Sequence, residues 1–166
     1  FKSVSAGFDG ACGITIDSLA VYCWGNALSW GSAGGAFTPT AVGPWPFIAF
    51  ATPTITAVTV GEAACAIDLG VVVCFGTNFA GNIGNGTGGT GSGGPAQPPT
   101  IAMTEGNSVQ GSVPIHPPSG ANVLSGTPTD AVYCALQRGT AAVWCWGDNF
   151  YGVTGDTTRV IDSLAY

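Results

Sequence analysis

Val143-Trp144-Cys145-Trp146-Gly147-Asp148-Asn149-Phe150-Tyr151-Gly152 is the stretch from which the rest of the chain can be read. Two weaker copies precede it, Val21-Tyr22-Cys23-Trp24-Gly25-Asn26 and Val72-Val73-Cys74-Phe75-Gly76-Thr77-Asn78-Phe79-Ala80-Gly81. Each copy follows an earlier cysteine by about ten residues and opens into a glycine-rich segment. Self-similarity on this scale is the mark of a repeat architecture, in which each repeat is one supersecondary unit.

The cysteines carry the same rhythm. They fall at 12, 23, 65, 74, 134 and 145, so the spacing within successive pairs is 11, 9 and 11. That repetition favours three local bridges, Cys12–Cys23, Cys65–Cys74 and Cys134–Cys145, among the roughly 15 pairings six thiols allow. Zinc is the rival reading. It wants close pairs such as C-x-x-C, and the chain has none. Disulfides imply an oxidising setting. Each would stabilise the fold by up to about 3 kcal/mol by closing a short loop in the unfolded chain.

Around these pairs the pattern is that of strands and turns. Val4 to Ile16 reads as a strand with Cys12, Ile14 and Ile16 on one face. Asp17-Ser18 turns the chain, and Leu19 to Trp24 returns, so that Cys12 and Cys23 face each other across a hairpin. Phe37 to Val42 is a short edge-like strand, and Phe47 to Phe50 suggests another.

The second unit repeats the order through Ala57 to Gly61, Ala64 to Ile67, the turn Asp68-Leu69-Gly70, and Val71 to Phe75. Gly84 to Pro99 reads as a loop, Thr100 to Thr104 as a strand, and Gly106 to Gly120 as irregular. The third unit runs through Val123 to Gly126, Ala131 to Leu136, Gln137-Arg138-Gly139 and Ala142 to Trp146. No segment forms a convincing amphipathic helix, and 27 glycines with 11 prolines weigh against one. The expected class is all-β, in units spanning 1–54, 55–120 and 121–166.

These units resemble RCC1-type repeats, the blades of a β-propeller. The resemblance rests in the third unit on Cys134-Ala135-Leu136, Gly139, Val143, Cys145-Trp146-Gly147, Asn149, Gly152 and Gly155. In the second it rests on Val58, Gly61, Cys65-Ala66-Ile67, Gly70, Val73, Cys74-Phe75-Gly76, Asn78, Gly81 and Gly84. The first matches at Val4, Gly7, Cys12, Val21 to Gly25 and Pro39 to Val42, then departs, because the glycine after Gly25 comes one residue late at Gly31. Paired cysteines of this kind resemble those of secreted and receptor-ectodomain members. A propeller of this family closes with about seven blades, and three cannot close a ring. The resemblance therefore implies a fragment, an open array or blades that stack on neighbouring chains. The segment Arg159-Val160-Ile161-Asp162 reads like the start of a further unit, leaving an edge open to strand addition.

Charge is scarce. The 166 residues hold three basic side chains and nine acidic ones, with none between Asp17 and Glu62 or between Asp68 and Glu105. A soluble surface is usually about a quarter to a third charged, so glycans or burial in an assembly must cover the difference. The acidic balance excludes nucleic acid and anionic membrane surfaces as partners. Residues 41–60 are apolar enough to suggest a membrane span, but Pro44, Pro46 and Pro53 break the necessary helix. No signal peptide opens the chain, which suits a processed or partial chain rather than a cytosolic one.

Candidate chemistry is sparse too. His116 lies among prolines and reads as a loop residue. Asp17 and Asp68, at equivalent hairpin tips, lack the further oxygens calcium needs and read as turn residues. Asp148-Asn149 is expected to fix the bend after the tryptophan strand. Gly88-Gly89-Thr90-Gly91 lacks the lysine and helix of a phosphate loop. Trp24, Phe75 and Trp146, at equivalent repeat positions, are expected in the core, and Trp45 between two prolines on the surface. Asn85-Gly86-Thr87 is an N-glycosylation acceptor. Thr38-Pro39-Thr40, Pro98-Pro99-Thr100 and Pro117-Pro118-Ser119 are candidate sites for O-linked sugar.

No catalytic residue, cofactor site or metal site emerges. The expectation is an extracellular or cell-surface structural or interaction glycoprotein that associates with copies of itself through open β edges. The alternative is a ligand-binding fragment of a larger propeller such as a receptor ectodomain. The nucleotide-exchange role of the family's founding member does not carry over, because disulfides oppose a cytosolic setting.

Overall fold

A computed structural model describes residues 1–26, 36–42, 54–78, 81–84, 97–101, 120–127, 131–148, 151–153 and 161–162. Among them all regular elements are strands, in three four-stranded antiparallel sheets. The first sheet is β1 (Ser3–Ala6), β2 (Gly10–Ile14), β3 (Val21–Gly25) and β4 (Ala36–Ala41), in that order. The second is β5 (Ile55–Val60), β6 (Ala63–Asp68), β7 (Val71–Gly76) and β8 (Gln97–Ile101). The third is β9 (Ala121–Gly126), β10 (Val132–Gln137), β11 (Val143–Asp148) and β12 (Ile161–Asp162). Each sheet is a meander, and β1, β5 and β9 approach one another at one edge. The fourth strands lie at the opposite edges. This is a propeller-like arrangement of three blades.

The cysteine pairs sit directly opposite each other in register: Cys12 with Cys23, Cys65 with Cys74, and Cys134 with Cys145. All three pairs are bridged, with Cα separations of 4.1, 4.0 and 4.1 Å. Such close approach belongs to the narrow, non-hydrogen-bonded pairs of an antiparallel ladder, where side chains on the two strands come nearest. All six cysteines of the chain are thus paired, which sets it outside the reducing cytosol. Among the described residues no helix is long and apolar enough to cross a membrane.

The glycine after each aromatic has a local cause. Gly25, Gly76 and Gly147 share a positive φ near 105° (104°, 105° and 106°). At Gly147 a Cβ would collide with the Ala131 carbonyl oxygen. That carbonyl accepts the next N–H, from Asp148, at 3.0 Å, and in the first blade the Asp9 carbonyl accepts the Asn26 N–H at 2.8 Å. Only glycine allows the backbone to approach closely enough for this closing bond.

Three expectations need correction. Val4 to Ile16 is two strands, because the chain reverses at Gly7–Asp9, with the Gly7 N–H bonded to the Gly10 carbonyl at 2.8 Å. Ile16 falls in the following turn and is exposed, whereas Cys12 and Ile14 are buried. In the second blade the fourth strand starts at Gln97 and so includes Pro98 and Pro99, rather than starting at Thr100. An edge strand has an unpaired side, so proline is tolerated there. The expected strand at Phe47–Phe50 lies outside the described residues.

Candidate assembly surfaces

Alternation along the strands gives every blade two unlike faces. One carries the disulfide. The other carries Trp24 in the first blade, Phe75 in the second and Trp146 in the third, each across the ladder from Ala11, Ala64 and Tyr133 respectively. The blades stack with unlike faces together. Cys12, Ile14, Val21 and Cys23 of the first blade pack against Ala64, Ala66, Val73 and Phe75 of the second. The disulfide face of the second blade, with Ile67 and Val72, packs in turn against Tyr133, Ala135 and Trp146 of the third.

Polar contacts cross both junctions. Between the first and second blades, the Val60 N–H donates to Ser5 Oγ at 3.0 Å. Between the second and third, the Tyr133 hydroxyl accepts the Ala63 N–H at 2.8 Å and donates to the Ala63 carbonyl at 2.9 Å. Burial pushes the Tyr133 phenol above the usual tyrosine range, and the Ala63 backbone bond opposes that shift. Trp146 lies 6.0 Å from the Tyr133 ring and donates its indole N–H to the Asn82 carbonyl at 3.0 Å. The loop that supplies Asn82 is held by Asn78, whose Oδ1 accepts the Ile83 N–H at 3.1 Å. Gly84 lies flat against the Trp146 ring, where a Cβ would come within 2.9 Å of it.

At the two ends of the array the same faces are left exposed. On the disulfide face of the third blade, Cys134, Leu136 and Cys145 are only half-buried, and Val123 and Val143 are 50% and 60% exposed. Their equivalents in the second blade, Cys65, Ile67, Cys74 and Val72, are fully buried. On the aromatic face of the first blade, Val4 is 58% exposed. Trp24 is half-buried, with the ring of Phe1 at 5.8 Å.

The chain has a structural likeness to human WBSCR16. A crystal structure of that protein matches with a TM-score of 0.68 at 19% sequence identity. The match covers 99% of this chain and 36% of that one. At this identity the likeness shows the fold alone, a propeller-like one. No known family profile matches the chain, and no curated protein matches it.

The individual expectations fare unequally. Phe75 and Trp146 are in the core, while Trp24 sits on an open face. Asp17 is exposed in its turn, but Asp68 is buried at the end of β6, where Oδ1 accepts the Thr54 N–H at 3.2 Å and the Thr54 hydroxyl at 2.8 Å. It ties the start of β5 to the hairpin end, so it is not a plain turn residue. Thr38, Pro39 and Thr40 are exposed along β4. Pro98, Pro99 and Thr100 lie in β8, with Thr100 opposite Cys74 just as Thr40 is opposite Cys23. Asn85, Trp45, Gly88 to Gly91, His116, Pro117, Pro118, Ser119 and Asn149 lie outside the described residues. No group of three or more metal-ligating side chains is gathered among the described residues.

Sequence reasoning missed Tyr133, Ser5 and Asn82 as cross-blade contacts. Tyr133 stands where the sister blades hold Ala11 and Ala64, so the repeat pattern gave no signal for it. Ser5 shares its place opposite the first cysteine with Thr59 and Ser125, and that run of hydroxyl residues was the available clue. For Asn82, its place between Gly81 and Gly84 in the glycine-rich segment was the available clue.

Proposed function

We propose that the chain is an extracellular structural or interaction glycoprotein built of RCC1-type repeats, which self-associates as the protomer of a filament or surface assembly. The observation that supports this reading is the pair of unlike apolar faces at the two ends of the array, each matching a face that is buried between blades within the chain. Repeat units do not bury their faces alone, and terminal ones seek partners. Only 7% of residues are charged, which suits a surface hidden by other copies or by sugar. Thr38 and Thr40 stand exposed on the edge strand β4, accessible to a glycosylating enzyme. Glycopeptide mass spectrometry checks this, and bare peptides throughout would remove the glycan part of the proposal.

The second reading is a ligand-binding part of a larger propeller, supported by the 36% share of WBSCR16 that the chain matches. Negative-stain electron microscopy of native material, dilute and without reductant, separates the two. The structural reading expects filaments or regular multimers. Single compact particles would oppose it and favour part of a larger propeller.

A further inference from the structure

We infer that copies of this chain join head to tail, blade face on blade face, with the disulfide face of the third blade of one copy receiving the aromatic face of the first blade of the next. The inference rests on the self-association reading above and names its surface.

Both halves of this contact are already made inside the chain. Each internal junction sets a disulfide face against the aromatic face of the following blade. The third blade offers Leu136 and Val143 around a half-buried Cys134–Cys145, in the positions of Ile67 and Val72 around the fully buried Cys65–Cys74. The first blade offers Val4 and Trp24, in the positions of Val58 and Phe75. Val58 and Phe75 pack in the first inter-blade core. A second copy therefore brings to each open face the kind of surface that covers its internal equivalents. The residues named on the two patches are themselves uncharged, so bringing them together desolvates no charge of their own.

Two of the three outer edges, β4 and β8, are poorer templates. β4 contains Pro39 and β8 contains Pro98 and Pro99, residues with no N–H to donate. Both edge strands also shift register beside the glycine that follows the aromatic. Prolines and bulges are the devices that blunt a sheet edge against pairing. Because the two faces are unlike, the contact is heterologous: it closes into a ring if the rotation per copy permits and otherwise extends as a helix.

The test uses variants at residues more than half exposed, so that folding is spared. Val143→Glu disables the disulfide face, Val4→Glu the aromatic face, and Phe37→Glu loads the β4 edge. Sedimentation velocity is run on each, after circular dichroism and thiol titration show the fold and bridges intact. The wild type is expected to grow with concentration, and Phe37→Glu to follow it. Val143→Glu and Val4→Glu alone are each expected to remain monomeric. Mixed, they retain one good face of each kind and are expected to form a one-to-one pair and nothing larger.

Wild type that associates while both face variants still do so, or while their mixture stays monomeric, would overturn the head-to-tail contact and leave the self-association reading standing. Wild type that is monomeric at all concentrations would overturn both, and point to blades of a longer chain as the occupants.

Discussion

The Tyr133 hydroxyl both accepts from and donates to the backbone of a single residue, Ala63, seventy positions earlier, at 2.8 and 2.9 Å. It thereby satisfies the N–H of the first residue of β6 in a buried junction, beside the Gly61 N–H that the same Ala63 carbonyl accepts. Tyr133→Phe keeps the ring and its stacking on Trp146 but leaves the buried Ala63 N–H unsatisfied, while the Ala63 carbonyl retains the Gly61 N–H at 2.7 Å. We expect a loss of about 1–3 kcal/mol, read as a lower denaturant midpoint at unchanged slope. A midpoint equal to wild type would show that the hydroxyl contributes nothing net.

The same residue should govern alkaline stability. Its phenol is held above the usual tyrosine range by burial. The unfolded chain would therefore ionise first, near the ordinary value of about 10. The contribution is complete below that pH and is lost as pH rises further, towards the folded-state value. The wild-type advantage over Tyr133→Phe should shrink above about pH 10 in brief unfolding measurements. An advantage that grew with pH would contradict this assignment.

Two glycines of similar φ should respond differently to alanine. Gly147, at 106°, has the Ala131 carbonyl against it, whereas Gly139, at 98°, has nothing within 4 Å. Both substitutions carry the cost of a left-handed backbone, about 1–2 kcal/mol. Gly147→Ala adds a collision and disturbs the Asp148–Ala131 bond, so its melting temperature should fall clearly further. Equal falls would show that the close approach is relieved at no cost.

One turn should accept an improvement. Leu69 and Gly70 are the two central residues of the β6–β7 hairpin, with φ of 51° and 81°, a two-residue turn of the type that favours Asn-Gly. Leu69 is mostly exposed, so its side chain contributes little packing. Leu69→Asn should raise stability by about 1 kcal/mol. A lower melting temperature would mean that the leucine is covered after all.

These cases also show what was legible. The disulfide register could be read because 11, 9 and 11 residues each leave room for a hairpin that brings the cysteines together, and the structure has those hairpins. The core positions of Phe75 and Trp146 could be read from their place in the repeat. Trp24 shares that place but has no blade packed against it among the described residues, so burial there depends on a neighbour and not on the local pattern. Val4 to Ile16 misled because alternation continues through Gly7-Phe8-Asp9, where the chain reverses. Tyr133 was hidden for a similar reason: its sister positions hold Ala11 and Ala64, and a contact made once leaves no periodic trace.

The central claim is that the exposed end faces become covered in an assembly, and the Cys134–Cys145 bridge reports on it directly. This bridge is half-buried, whereas the other two are fully buried. A short pulse of a phosphine reductant followed by alkylation and peptide mass spectrometry would read the three bridges separately, at low and at high protein concentration. Cys134 and Cys145 should be labelled first in dilute solution and become protected as concentration rises, while the other four cysteines stay unlabelled in both. Labelling of Cys134 and Cys145 that is indifferent to concentration would contradict the account.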